Sequence, residues 1–321
     1  MKYNRIEYID VAKGVAILLV VVGHVSSLPA PIKSSLYSFH MPLFFLLSGY
    51  FFRQEDNLST AKRMIPTIVV PYIVVGGVIR GFCIVKNVLI NHPFDYIDLL
   101  SLFGVCWKIN GTIVSSGAIW FLMVLFWSKI FLQFAFKYKY GIPCLLVLAT
   151  VSMLVTRIFN IIIPFGVQQA LPCSLFVYAG FLCNKYRVFD IRLSKYTLIA
   201  VVVAMLPFLN NFSVATRANS YQGGFLSILV SCAIVWVIVM SLRKLVEIDA
   251  GWYTKLCTKK FFTWCGRSSI VILAVHSIEA RYFAYNSQNF VIESLVRLTC
   301  ILILSWLFTN IPYTRKLFHV K

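Results

Sequence analysis

Apolar segments long enough to cross a membrane recur along the whole chain, and they constrain its fold more than any other feature. About ten segments of about 17 to 21 residues begin near residues 11, 36, 64, 117, 141, 163, 196, 223, 268 and 291. A hydrophobic content of 60% with only 13% charged residues excludes a soluble globular domain. We therefore predict an all-α integral membrane protein with about ten transmembrane helices in a single domain, residues 1–321.

The net charge of +19 is interpreted from the positions of the basic residues relative to the predicted helices. With the N-terminus in the cytoplasm, about 20 of the 30 Lys and Arg residues lie in cytoplasmic segments and about 5 in outer ones. By the positive-inside rule both termini are cytoplasmic. The excess of basic residues reflects the membrane topology alone, or the topology together with binding of a phosphorylated cytoplasmic donor. We predict membrane lipid but no nucleic acid as a partner, and no metal site, because the nine cysteines are scattered without a C-x-x-C pair.

The first apolar segment, residues 11–27, has ionisable groups on one face. At about 100° per residue, Lys13 and His24 lie roughly 20° apart around a helix, and Asp10 lies within about 60° of both. Lys13 and His24 are separated by about 16 Å along the axis. The pattern predicts a cation near one membrane surface and an imidazole near the other.

The second segment, residues 36–52, contains His40 near its start and Ser48 near its end. A short link with Pro29 and Pro31 separates it from the first segment, so the two helices are predicted to be antiparallel neighbours. His24 and His40 are then expected to face one outer cavity.

Two runs at the start of the chain resemble the opening of the type 3 membrane acyltransferase family, particularly its fucose 4-O-acetylase-like branch. They are R-I-E-Y-I-D-V-A-K-G-V-A-I-L-L-V-V-V-G-H, residues 5–24, and F-H-M-P-L-F-F-L-L-S-G-Y, residues 39–50. That family has a basic residue, ten intervening residues and a histidine in its first helix, which matches Lys13 and His24. Trp120-Phe121-Leu122 and G-R-S-S-I-V-I-L-A-V-H, residues 266–276, resemble later blocks of the family.

The resemblance implies a transferase of the bacterial plasma (inner) membrane, a multi-pass acyl-CoA-dependent O-acyltransferase, specifically an acetyltransferase. Its co-substrate is acetyl-CoA, and its acceptor is a hydroxyl of a cell-surface polysaccharide or of a lipid-linked sugar precursor. The family also has a pair of arginines associated with donor binding near the first inner loop. Here Lys62 and Arg63 are adjacent, and Pro66 stands where a second arginine is expected.

Acyl transfer to a hydroxyl needs a base, and His24 suits this role because an imidazole with a pKa near 6.5 accepts and returns protons at neutral pH. Lys13 is expected to contact the phosphates of the acyl-CoA, with Asp10 paired to Lys13 or Arg5. Either Glu279 or a polar group of the sixth predicted helix orients His24. Direct transfer and a covalent acyl-enzyme through His24 or Ser48 both remain open.

Polar residues near the predicted outer surface are candidates for acceptor binding. The long outer segment between residues 86 and 117 places Asp95 and Asp98 among aromatic residues, which suits a saccharide or, alternatively, a lid without a ligand. The other candidates are Trp120, Gln168, Gln169 and His276. Instead of binding the acceptor, Trp120 could belong to the aromatic belt at the membrane surface. His276 and Glu279 could instead form structural pairs between helices.

Two other functions are compatible with buried ionisable groups in a membrane protein. A transporter or flippase of a lipid-linked glycan would use them as proton-relay or substrate-path residues. Such transporters usually have repeated halves, and no internal repeat is evident in this chain. A purely structural membrane subunit is a weaker alternative, because it has no use for the buried charges.

Overall fold

The computed structural model describes residues 6–89, 107–109, 112–114, 117–159, 163–191, 201, 212–247 and 259–319. Three residues that the sequence proposed for the site, Arg5, Asp95 and Asp98, lie outside the described residues. Most of the predicted helix that begins near residue 196 also lies outside them.

The described residues are almost entirely helical. The α-helices are α1 (Glu7–Gly23), α2 (Ala30–Tyr37), α3 (His40–Tyr50), α4 (Asn57–Met64), α5 (Val70–Leu89), α6 (Trp120–Lys137), α7 (Gly141–Phe159), α8 (Val167–Lys185), α9 (Phe225–Glu247), α10 (Lys260–Arg267), α11 (Ser269–Tyr282), α12 (Phe290–Asn310) and α13 (Pro312–Leu317). Two short antiparallel hairpins join β1 (Trp107–Ile109) to β2 (Thr112–Val114) and β3 (Val214–Ala215) to β4 (Ser220–Tyr221).

Six of the described helices are long and apolar enough to cross a membrane. They cover Asn57–Leu89, Gly117–Lys137, Gly141–Phe159, Pro164–Lys185, Phe225–Glu247 and Phe290–Asn310. Helices α10 and α11 meet at a bend of 72° and add a seventh span if they are counted as one. The described residues therefore support fewer spans than the sequence predicted.

The difference between the predicted and the observed number of spans arises mainly in the first fifty residues. Helix α1 has 17 residues, and the second predicted span is divided between α2 and the 11 residues of α3. At 1.5 Å per residue, α3 is only about 16 Å long, roughly half the thickness of the hydrocarbon core. Hydropathy detects an apolar stretch but not a break in the helix at Ser38 and Phe39, so it counted a complete span there.

Glycines of neighbouring helices bring α1 and α3 into close backbone contact with the bundle. A Cβ atom at Gly266 of α10 would lie 1.9 Å from the carbonyl oxygen of Asp10 in α1. A Cβ atom at Gly180 of α8 would lie equally close, at 1.9 Å, to the carbonyl oxygen of Leu46 in α3. Only a residue without a side chain allows backbones to approach so closely, a common device in membrane helix packing. Helices α1 and α3 are thereby held inside the bundle.

A π-helical turn at Ile65–Val69 connects α4 to α5. It contains Pro66, whose missing N–H and bulky ring disrupt the regular α-helical hydrogen bonds. Such turns are frequent at functional sites. Thr67 and Ile68 of this turn line the cavity around Lys13 that is described below.

Candidate active site

Helix α1 carries Lys13 and His24 to opposite ends of the site. The helix is continuous from Glu7 to Gly23, and His24 is its C-cap residue, so the predicted separation of about 16 Å along the axis applies. His24 Nδ1 lies 2.8 Å from the carbonyl oxygen of Val20. A carbonyl only accepts hydrogen bonds, so Nδ1 carries the hydrogen and Nε2 of the neutral ring is left as a proton acceptor.

A cluster of rings surrounds His24. The His276 ring meets the His24 ring edge-on with centroids 4.9 Å apart, and Tyr37 lies on another side at 6.0 Å. Tyr37 in turn contacts His40 at 4.9 Å. The C-terminal end of α1, with His24, and the N-terminal end of α3, with His40, thus lie at the same end of the bundle, but His40 is not part of the lining of the cavity at His24 described below. Burial raises the pKa of Tyr37 above its ordinary value, opposed by the charge of Arg217, so the phenol keeps its proton at neutral pH.

His276 is fully buried, yet its ring lacks hydrogen-bond partners among the described residues. Its Nδ1 lies 3.5 Å from Glu279 Oε2, too far for a well-formed hydrogen bond, and neither ring nitrogen has another partner there. Buried polar atoms are normally satisfied by protein, water or ligand. His276 therefore has hydrogen-bonding capacity available beside His24.

Arg297 of α12 connects Glu279 to the backbone of His24. Its Nε and Nη2 donate to Glu279 Oε1 and Oε2, both at 2.8 Å, and its Nη1 donates to the carbonyl oxygen of His24 at 2.8 Å. Glu279, which the sequence proposed as the partner that orients His24, thus acts on it through Arg297. The contact is to the backbone of His24 and not to its imidazole.

Glu293 holds the turn that follows His24. Its carboxylate accepts hydrogen bonds from the backbone N–H of Ser26 at 2.7 Å and from the hydroxyl of Ser27 at 2.6 Å. It also lies 3.6 Å from Arg297 Nη1, the ion pair expected from the i, i+4 spacing. A buried carboxylate, guanidinium and carboxylate together fix the turn that carries the candidate base.

His24 opens into a cavity of about 210 Å³, which we call the His24 cavity. Imidazole rings and guanidinium groups provide its polar lining: His24, His276, Arg80, Arg217 and Arg281. Gly117 and Ala118, just before α6, form part of the wall. The cavity is smaller than the roughly 300 to 1,000 Å³ of a site that encloses a whole drug-sized ligand, so it has room for one reacting group rather than a glycan chain.

Gln168 and Gln169 support the hairpin that brings Arg217 to this cavity. Gln169 Nε2 donates to the carbonyl oxygen of Arg217 at 3.3 Å. Gln168 Nε2 donates to Thr156 Oγ1 at 2.6 Å, and Asn219 of the same hairpin donates to that hydroxyl at 2.8 Å. The two glutamines proposed for substrate binding are buried in this network and do not line the His24 cavity.

Lys13 lies in a second cavity of about 470 Å³, which we call the Lys13 cavity. Its charged lining consists of Lys13, Lys129, Arg267 and Asp10, and Ser48 and several aromatic rings complete it. Asp10 pairs with Arg267 at 3.3 Å, a partner 257 residues away that the sequence did not suggest. Two lysines and one paired arginine against a single carboxylate leave this cavity cationic.

The remaining predicted donor contacts lie outside the Lys13 cavity. Lys62 and Arg63 are on the exposed side of α4, where Arg63 pairs with Glu55 at 3.3 Å. Trp120, which the sequence proposed for acceptor binding, is buried and packs edge-on against Phe121 with ring centroids 6.4 Å apart.

Phe121 lies one helical turn from the lining of the His24 cavity. Ala118 lines the His24 cavity, and Phe121 lines the Lys13 cavity. The Phe121 ring packs against Phe45 and Phe44 with centroids 4.9 and 5.7 Å apart. The residues that line the two cavities do not overlap. We interpret Phe121 and the rings that contact it as a partition between the two cavities.

Comparison with known families decides the class of protein. A profile of the type 3 acyltransferases, described as an acyltransferase domain, matches residues 6–310. The chain belongs to the type 3 acyltransferase family. No curated protein and no solved structure matches the chain. With its series of apolar helices, this acyltransferase is a multi-pass membrane protein.

Sequence reasoning missed three basic residues of the acyltransferase site. Lys129 and Arg297 lie within apolar helices, and a charge in such a helix is itself a signal of function. Arg217 lies in a polar loop that gives no such signal, and only the fold of the β3–β4 hairpin brings it to His24. In the described part of the chain, no group of three His, Cys, Asp or Glu side chains is arranged to bind a metal ion.

Proposed function

We propose that this acyltransferase moves an acetyl group from cytoplasmic acetyl-CoA to a hydroxyl of a cell-surface polysaccharide or of its lipid-linked precursor in the bacterial inner membrane. The observation that carries the proposal is the placement of Lys13 and His24 about 16 Å apart along one helix, each in its own cavity. A cationic cavity suits the donor's phosphates, and an imidazole with a free Nε2 suits the acceptor's hydroxyl.

The donor occupies the Lys13 cavity. Lys13 and Lys129 bind its phosphate oxygens through charge-assisted hydrogen bonds, while Arg267, held by Asp10, adds positive charge at the rim. Phe44 and Phe121 line the deeper part and are suited to the less polar arm of the donor. The acyl end then has to pass the Phe121 partition to reach His24.

Transfer takes place beside His24. His24 Nε2 removes the proton from the acceptor hydroxyl as its oxygen attacks the thioester carbonyl carbon. The carbon–sulfur bond then breaks, the sulfur leaves as the thiolate of CoA, and the proton on Nε2 passes to that sulfur. The products are an O-acetyl ester and free CoA, so atoms and charge balance.

His276 is placed to stabilise the intermediate. The oxyanion that develops on the carbonyl oxygen needs a donor already in position. A His276 ring N–H, which has no partner among the described residues and lies beside the His24 ring, meets that need. Arg297 keeps His24 in place through its backbone and takes no part in proton transfer.

The proposal is tested with purified protein in lipid nanodiscs, radiolabelled acetyl-CoA and lipid-linked glycans extracted from the host membrane. Removal of a general base typically slows a reaction by about 10²- to 10⁴-fold, so His24→Gln is expected to abolish measurable transfer while thermal unfolding is unchanged. Lys13→Met is expected to raise the KM for acetyl-CoA. The exposed Lys185→Met is the matched control and is expected to behave as the wild type.

Two results would overturn the proposal. One is transfer by His24→Gln at the wild-type rate. The other is movement of glycan across the bilayer without any acyl transfer, which would favour a transporter. Mass spectrometry of surface glycans from a deletion strain then identifies the acceptor by the acetyl group that it lacks.

A further inference from the structure

Three arginines from three different elements line the His24 cavity. Arg80 belongs to α5, Arg217 to the β3–β4 hairpin and Arg281 to α11. No carboxylate belongs to the lining of this cavity within the described part of the chain. Arg80 and Arg281 have other contacts as well, and each still contributes to the cavity wall.

Two carboxylates of the described residues, Glu279 and Glu293, have partners of their own. Glu279 receives two hydrogen bonds from Arg297. Glu293 is satisfied by Ser26 and Ser27 and lies 3.6 Å from Arg297. The charge of Arg297 is thereby balanced, and these two glutamates are not directed at the three arginines of the cavity.

Three guanidinium groups therefore converge on one small cavity of a membrane protein. A charged side chain at the centre of a bilayer costs at least about 2.5 kcal/mol, and such residues usually mark a substrate path. Arg80 is only 5% exposed, so its charge lies within the protein. Guanidinium groups bind phosphate and carboxylate oxygens in pairs of parallel hydrogen bonds, which makes an anionic ligand the best match.

His276 gives an independent indication of a ligand. Its side chain is completely buried, lines the same cavity and has both ring nitrogens without a hydrogen-bond partner among the described residues. An imidazole N–H donates to the same oxygen acceptors that guanidinium groups bind. The unsatisfied ring, which the proposed function assigns to the oxyanion, thus indicates that this cavity binds oxygen groups of a ligand, and the three arginines favour an anionic one.

On the basis of the proposed function, we infer that the acceptor carries an anionic oxygen group, a phosphate or a carboxylate, next to the hydroxyl that is acylated. Arg217 binds this group together with Arg80 and Arg281, and the hydroxyl then lies at His24. The small volume of the cavity, about 210 Å³, suits one charged group and the adjoining part of a sugar ring. The anion comes from a phosphate-linked sugar or from an acidic sugar of the polymer.

Arg217 is the residue best suited to a test. Its hairpin is held by the backbone carbonyl of Arg217, which Gln169 contacts, and by the side chain of Asn219. Neither contact uses the guanidinium group, so Arg217→Gln is expected to retain the fold. Arg157, exposed at the end of α7, lies outside the cavity lining, and Arg157→Gln is the matched control for the loss of one charge.

Binding is measured by calorimetry on the full chain in nanodiscs without acetyl-CoA. The probes are glucose 1-phosphate, glucuronate and methyl glucoside, which carry a phosphate, a carboxylate and no charge. At least one anionic probe is expected to bind about tenfold more tightly than methyl glucoside, and the preferred anion identifies its source. Arg217→Gln is expected to abolish the preference, Arg217→Lys to keep part of it and Arg157→Gln to leave it unchanged.

The inference is overturned if both anionic probes bind no better than methyl glucoside, or if Arg217→Gln and Arg157→Gln behave alike. Because no donor is present, these results are independent of acyl transfer. Failure of the proposed function would appear instead as unchanged transfer by His24→Gln, whatever the probes bind.

Discussion

The guanidinium group of Arg297 donates a 2.8 Å hydrogen bond to the backbone carbonyl oxygen of His24. The same group forms two hydrogen bonds to Glu279, so α11, α12 and the end of α1 meet at one side chain. The position of the candidate base is thus set by an ion pair between two helices that are distant from it in sequence.

Arg297→Gln is expected to destabilise the protein by about 3–5 kcal/mol, because it leaves the buried Glu279 without its counter-charge. The measurement is thermal or chemical unfolding in detergent, with the exposed Arg315→Gln as the control. The double variant Arg297→Met with Glu279→Met removes both charges and is expected to recover much of this loss. It should nevertheless remain inactive, since nothing then holds the His24 carbonyl. Full activity in the double variant would contradict the positioning role.

Gly180→Ala is expected to destabilise the bundle by about 1–3 kcal/mol, the usual cost of overpacking. Its Cβ would lie 1.9 Å from the Leu46 carbonyl oxygen, so α3 and α8 must separate. Gly77→Ala is the matched control, because a Cβ there meets no atom within 4 Å. Unfolding curves of the two variants give the comparison, and equal stability would mean that α3 and α8 do not pack this closely.

Lys129→Met is expected to raise the KM for acetyl-CoA by roughly ten- to a hundredfold, as for the loss of one charged hydrogen bond. Saturating donor should restore most of kcat, and Lys129→Arg should retain most of the affinity. The exposed Lys139→Met, just after the C-terminal end of the same helix α6, controls for the loss of a lysine. A normal KM in Lys129→Met would remove Lys129 from the donor site.

Phe121→Leu is expected to increase hydrolysis of acetyl-CoA relative to transfer, because a smaller side chain opens the partition between the cavities to water. The rate of CoA release without acceptor measures this leak. Phe134→Ala, on the same helix but half exposed, is the control. A leak that is equal in both variants would show that Phe121 does not separate the cavities.

The sequence predicted the positions of Lys13 and His24, the two ends of the candidate site, better than the contacts between them. A period of 3.6 residues is enough to put Lys13 and His24 on one face of a helix, and the two proline residues correctly indicated that His40 returns to the same end. The pairing of Asp10 with Arg267 depends on the contact between Gly14 and Gly266 of two distant segments. Sequence spacing carries no information about such contacts.

Polar residues in membrane helices were also easier to find than to interpret. Gln168 and Gln169 stood out as polar, yet they support a hairpin rather than line the cavity. Glu279 was recognised as a candidate partner of His24, but Arg297, which lies between them, was not part of the predicted site. Which neighbour satisfies a buried group depends on helix rotation and packing, which hydropathy does not determine.

The continuity of α1 has a consequence for donor selection. Because the helix backbone is rigid, the distance between the ammonium of Lys13 and the imidazole of His24 acts as a molecular ruler. Under the proposed function, a thioester donor is productive only if the length from its anionic end to its carbonyl matches that distance. Inserting one helical turn between the two residues should therefore shift the enzyme toward donors with a longer carrier arm, without any change in the groups that perform the chemistry.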